Sequence, residues 1–138
     1  MRFPRTLVDE MIAHARADQP NECCGIVASR DGRAERVFRA ANAEASPFRY
    51  SLDPREQYQI TREIEDAGLE LGAIYHSHTR SPAYPSQTDV NLAFYPDALY
   101  VIVSLADAQA PDVRAFRIAG QQVAEVPIEV EDHAPGAA

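Results

Sequence analysis

The run Leu99 to Leu105, LYVIVSL, constrains this chain more than any other stretch. Neighbouring side chains on a strand point to opposite faces, so a strand that is apolar at nearly every position must be covered on both. Such a strand belongs inside a sheet with a layer packed on each side, and the covering layers are legible as helices. Pro4 to Asp18 places Leu7, Val8, Met11, Ile12 and Ala15 on one helical face, with proline tolerated in the first turn. Asp53-Pro54-Arg55-Glu56 is a helix start: a capping aspartate, proline at the first helical position, and glutamate three residues after the cap. That helix is expected to run to about Ala67 and to stop at Gly68.

The other apolar runs read as strands. Cys24 to Ser29 turns at Asp31-Gly32 into Ala34 to Ala40, a hairpin whose second half is partly solvated. Phe48 to Leu52 is expected to be a short strand with alternating aromatics, and Leu71 to Tyr75 a buried strand leading into His76-Ser77-His78. Thr79 to Pro85 is a loop with two prolines, and Ser86 opens a short helix through about Phe94. Val113 to Ile118 and Gln122 to Val130 complete the set, joined at Gly120. The expectation is an α/β (α+β) architecture, a mixed twisted β-sheet of about six strands flanked by helices. With 138 residues, and roughly 150 per domain, the chain holds a single domain over 1–132, with His133 to Ala138 expected to be a frayed tail.

Composition then excludes partners. Lys+Arg is 13 against Asp+Glu 21, a formal charge of -8, so no broad basic footprint for nucleic acid exists. All the basic residues are arginines. No run reaches the ~18 apolar residues of a membrane helix, and MRFPRTLVDE lacks the apolar core of a secretory signal, so no membrane partner and a cytoplasmic location are expected. Cys23 and Cys24 are adjacent, which disfavours a disulfide and fits a reducing compartment.

The chemistry lies between residues 76 and 89. His76 and His78, at i and i+2 on extended chain, point to the same side, a spacing that a metal ion can bridge. Asp89, from a separate element, could add a third ligand and leave the fourth position of a tetrahedral ion open, as catalytic rather than structural zinc sites do. Nitrogen and oxygen donors suit zinc, while iron, cobalt and nickel stay open. Each member also has a bland explanation. A His-x-His pair is more often hydrogen-bonded surface, Ser86 and Asp89 match a helix-capping arrangement, and Glu22 alone would be a solvated loop carboxylate.

The whole pattern, however, resembles the JAMM/MPN+ zinc metalloprotease family. The resemblance rests on Glu22 within Asn21-Glu22-Cys23-Cys24-Gly25, then His76-Ser77-His78, the seven-residue loop TRSPAYP, and Ser86-Gln87-Thr88-Asp89. It extends over nearly the whole chain, from Phe3 to Val130. It implies a cytidine-deaminase-like MPN/JAMM fold and one Zn2+ per chain held by His76, His78 and Asp89. It also implies two catalytic roles: Glu22 as the general base that later protonates the leaving amine, and Ser86 as a hydrogen-bond donor to the developing oxyanion.

Family members cut amide or isopeptide bonds after the terminal glycine of ubiquitin or ubiquitin-like proteins. This compact chain is most similar to short bacterial members that act on small ubiquitin-like sulfur carrier proteins with a Gly-Gly tail, especially the actinobacterial type that releases cysteine from the carrier. Thr79 stands where many members have proline after the second histidine, which argues against a eukaryotic type of specificity. Removal of ubiquitin-like modifiers from proteins, peptide hydrolysis and a non-enzymatic scaffold are the alternatives, and a homodimer is left open. Arg80, beside the site, is either a surface charge or a contact for an acidic substrate group. Cys24 reads as a small buried residue rather than a nucleophile, and Cys23 as an accessible, oxidisable thiol.

Overall fold

The computed structural model describes residues 1–132. Along them run β1 (Arg2–Pro4), α1 (Arg5–Asp18), β2 (Cys24–Arg30), β3 (Arg33–Ala40), α2 (Pro54–Asp66), β4 (Glu70–His78), α3 (Gln87–Asn91), β5 (Leu99–Ser104), β6 (Asp112–Ala119), β7 (Gln122–Val126) and β8 (Glu129–Glu131). The strands form one mixed sheet in the order β7-β6-β5-β4-β2-β3-β1-β8. β4 and β5 are parallel, as are β1 with β3 and β1 with β8; the remaining pairs are antiparallel. The parallel step from β4 to β5 needs a crossover, and the chain segment carrying α3 supplies it.

The expected α/β class holds, and the expected apolar strand lies well inside the sheet. All six residues of β5 are buried. Alternation divides β2, β4 and β5 between two faces. Val27, Ala73, Tyr75, Val101 and Val103 pack with Val8, Met11 and Ala15 of α1. On the other face, Cys24, Ile26 and Ala28 meet Ile60 and Ile64 of α2. Ile74, Tyr100 and Ile102 meet Ala83 and, at its edge, Val90 of α3. From Ile74 onward the even-numbered residues of β4, among them His76 and His78, belong to this second face.

Four expectations need correction. The sheet has eight strands rather than about six, because β1 and β8 are three-residue strands that pair far along the sequence and carry no periodic signal. Gln122 to Val130 is not one strand: Pro127 lacks the N–H a ladder requires and separates β7 from β8. Phe48 to Leu52 contributes only an isolated bridge, Asn42 to Leu52. There the Asn42 side chain takes over pairing, donating to the carbonyls of Glu22 and Arg49 at 3.0 Å each and accepting from the amides of Glu44 at 3.0 Å and Ser51 at 3.2 Å. The third helix ends at Asn91, well short of Phe94. The tail expected at 133–138 lies outside the described residues.

Candidate metal centre and active-site cleft

The centre is built at the C-terminal end of β4. Cys24 pairs with His76, and the pairing continues past β2, where the Ser77 amide donates to the Cys23 carbonyl at 3.1 Å. The Ser77 hydroxyl accepts from the Cys23 amide at 2.8 Å, so it locks the segment carrying Glu22 to the segment between the two histidines. Continuing this register sets Glu22 level with His78 and on the same face. On the far side of β4, His76 pairs with Ile102 and His78 with Ser104, so the histidines sit between two neighbouring strands and cannot swing as loop residues would.

Asp89 comes from the first turn of α3. Ser86 caps this helix: its hydroxyl accepts from the Asp89 amide at 3.1 Å, and Asp89 Oδ2 accepts from the Ser86 amide at 2.9 Å. The capping and metal-site explanations of Ser86 and Asp89 therefore coexist. The cap aims the carboxylate inward, while Ser86 serves it as an acceptor and keeps its hydroxyl hydrogen uncommitted among the described residues.

His76 Nε2 lies 3.1 Å and His78 Nε2 2.9 Å from the same oxygen, Asp89 Oδ2, and the two Nε2 atoms are 3.3 Å apart. All three residues are buried. His78 Nδ1 is 2.8 Å from the Pro82 carbonyl, an acceptor only, so Nδ1 carries a proton and Nε2 is the ring atom that faces Asp89 and could serve as a ligand once deprotonated. His76 is held from behind by the Tyr50 ring, stacked at 4.4 Å between centroids and 20° between planes. Three donor atoms gathered this tightly, with only one oxygen to share between two imidazoles, fit a zinc ion better than a self-satisfied hydrogen-bond cluster.

The protonation of these groups follows from burial. Burial pushes His76 below its ordinary range, against the opposing pull of Asp89. Burial pulls His78 the same way, but its bonds to Asp89 and Pro82 outweigh it and the ring ends higher. Asp89 would be raised by burial, yet hydrogen bonds from both histidines and the Ser86 amide hold it well below the usual carboxylate range. Glu22 lacks such partners. It is 4% exposed and its Oε1 has no hydrogen-bond partner, and burial pushes its carboxyl up to about 8. A carboxyl poised near neutrality in a cleft is suited to accept and return a proton.

Glu22, His78 and Ser86 line one cleft of about 340 Å³, whose walls include Pro20, Pro47 and Phe48. The structure thus brings together all five residues singled out in the sequence. It adds Tyr50, Ser77 and the Pro82 carbonyl, which sequence reasoning missed because a stacked ring and a register lock have no local signature. Cys23 departs from expectation: it is fully buried, not accessible. Burial raises both thiols to about 12, so neither is a nucleophile.

Known proteins resemble this chain over most of its length. The chain is 48% identical over 126 residues to the CysO-cysteine peptidase of Mycobacterium tuberculosis, covering 90% of this chain and 86% of that one. It is 37% identical over 133 residues to a desampylase of Haloferax volcanii, covering 89% and 91%. Among solved structures, protein DSY2949 of Desulfitobacterium hafniense superposes with a TM-score of 0.89 at 37% identity, over 99% of this chain and 97% of that one. The family model for prokaryotic homologs of the JAB domain matches residues 4–119, and with most of its length accounted for in this way the chain belongs to that family.

Proposed function

We propose that the chain is a zinc-dependent hydrolase that cuts the amide bond after the C-terminal glycine of a ubiquitin-like sulfur carrier protein and releases cysteine. The observation that carries this reading is the convergence of His76, His78 and Asp89 at a cleft that also holds Glu22 and Ser86. In it, His76, His78 and Asp89 hold one zinc ion, which supplies Lewis-acid polarisation at neutral pH. Glu22 takes a proton from the attacking water and returns it to the departing amine, so water and amide become carboxylate and amine. Ser86 donates its free hydroxyl hydrogen to the carbonyl oxygen as charge develops there. The substrate class is supported by the name of the mycobacterial relative, a peptidase acting on CysO–cysteine. A second reading, removal of ubiquitin-like modifiers from proteins, has the desampylase relative in its favour.

The test joins metal analysis with mass spectrometry of a CysO–cysteine adduct incubated with wild type and with Glu22→Gln. One zinc per chain and loss of the cysteinyl mass with wild type alone is the expected result. Zinc without cleavage would move the activity to protein conjugates, and a chain that takes up no zinc would end the hydrolase reading.

A further inference from the structure

The cleft contains one cation that the proposed reaction does not use. Of the thirteen arginines, ten have a hydrogen-bond, ion-pair or ring partner through the side chain. Among the described residues Arg2, Arg55 and Arg80 have none, and Arg80 alone of these lines the cleft with Glu22, His78 and Ser86. Among the described residues it is also the only lysine or arginine on the cleft wall.

Its backbone is fixed although its side chain is exposed. His78, two residues before it, is the last residue of β4 and its carbonyl accepts from the Leu105 amide at 2.9 Å. On the other side the Ser81 carbonyl accepts from the Ser104 hydroxyl at 2.7 Å, and the Pro82 carbonyl meets His78 Nδ1. An anchored backbone with a free guanidinium is a pre-positioned contact with nothing to contact in the protein itself.

We propose that Arg80 binds the free α-carboxylate of the leaving amino acid, and so selects substrates in which a single C-terminal residue follows the scissile bond. This rests on the hydrolase reading above. Among the described residues the cleft wall offers an anionic group no other arginine or lysine, so a carboxylate entering it meets Arg80. A guanidinium matches a carboxylate with two parallel N–H bonds, which also fix its orientation. In an amino-acid leaving group the carboxylate is attached to the carbon that bears the scissile nitrogen, so its reader must lie in the cleft itself. A lysine side chain joined through its ε-nitrogen has no carboxylate there, and a longer peptide has an amide in its place.

The experiment compares CysO joined to cysteine with CysO joined to cysteinamide, using wild type, Arg80→Gln and Arg80→Lys. Wild type is expected to prefer the free acid through KM by about ten- to a hundredfold, the span of one charge-assisted hydrogen-bonded pair. Arg80→Gln should raise KM for the acid by that factor, leave kcat unchanged and leave the amide unaffected, with Arg80→Lys intermediate. Calorimetric binding of both adducts to Glu22→Gln, with and without Arg80→Gln, reads the same preference without turnover. Equal effects of Arg80→Gln on both adducts, or none on either, would overturn the carboxylate contact. Failure of wild type to cut either adduct would instead strike the hydrolase reading, while the binding comparison still decides the role of Arg80.

Discussion

Two buried histidine environments lie on opposite faces of the same sheet, and they differ in what is left over. On the α1 face, His14 Nδ1 is 2.7 Å from the Tyr75 hydroxyl and His14 Nε2 3.3 Å from Asp18, so both ring nitrogens are satisfied within the fold. On the other face, His76 Nδ1 is buried without a partner, Glu22 Oε1 likewise, and two imidazoles compete for one oxygen of Asp89. Burial is similar in both places, with His14 at 6% and His78 at 4% exposure. What separates a structural histidine from a candidate ligand is unspent hydrogen-bonding and coordinating capacity held in place by strands, not burial itself.

The largest effect should come from emptying the crowded side of this contrast. Asp89→Ala removes the oxygen on which both histidines converge, and zinc content and hydrolysis should both fall below detection. The lost cap adds a cost of only about 1 kcal/mol, so the variant should still melt cooperatively in a thermal scan. Full zinc occupancy in this variant would show that Asp89 is not a zinc ligand.

Glu22→Gln should keep the zinc and lower kcat by about 10³, within the range for a lost proton-transfer group. Paired metal analysis and steady-state kinetics check it, and loss of metal along with activity would make Glu22 a ligand instead. Ser86→Ala should lower kcat by on the order of 10² with little change in KM, as expected for one oxyanion donor.

The contrast also has a pH signature. Without metal, Glu22 has a folded pKa near 8, above its ordinary value of 4.5, so its cost to stability is absent below 4.5 and grows as pH rises towards 8. Chelator-treated wild type should therefore lose stability between pH 5 and pH 8, as much as about 3 kcal/mol at neutrality, and Glu22→Gln should flatten that slope. Denaturant midpoints across this pH range provide the measurement, and parallel slopes in the two proteins would contradict it.

The smallest effect belongs to the satisfied side. His14→Ala should cost roughly 1–3 kcal/mol of stability by leaving the Tyr75 hydroxyl unpaired, while zinc content and kcat/KM of the folded fraction stay at wild-type values. A catalytic defect without a stability defect would join the two regions that the structure separates.

Local patterns made much of this legible in advance. The apolar run at 99–105 announced a strand covered on both faces, the Asp53-Pro54 start announced α2, and His-x-His with Ser-x-x-Asp announced the centre, because each depends on residues close in sequence. Ser86 and Asp89 could be read at once as cap and as site, and the structure needed no choice between them. Less legible was whatever depended on a distant partner. β1 and β8 pair across more than 120 residues. The Asn42 side chain displaces an expected strand by claiming backbone groups on both sides of it.

The sequence by itself determined the candidate ligand types, their spacing on β4, and the layered class, since alternation and capping are consequences of backbone geometry. Only the tertiary structure decided that Glu22 lies level with His78, that Ser77 locks their two segments together, that Cys23 is sealed and His14 satisfied, and that Arg80 alone of the unpartnered arginines faces the cleft. These are matters of register and packing between segments some 50 to 60 residues apart, and no local rule reaches across that distance.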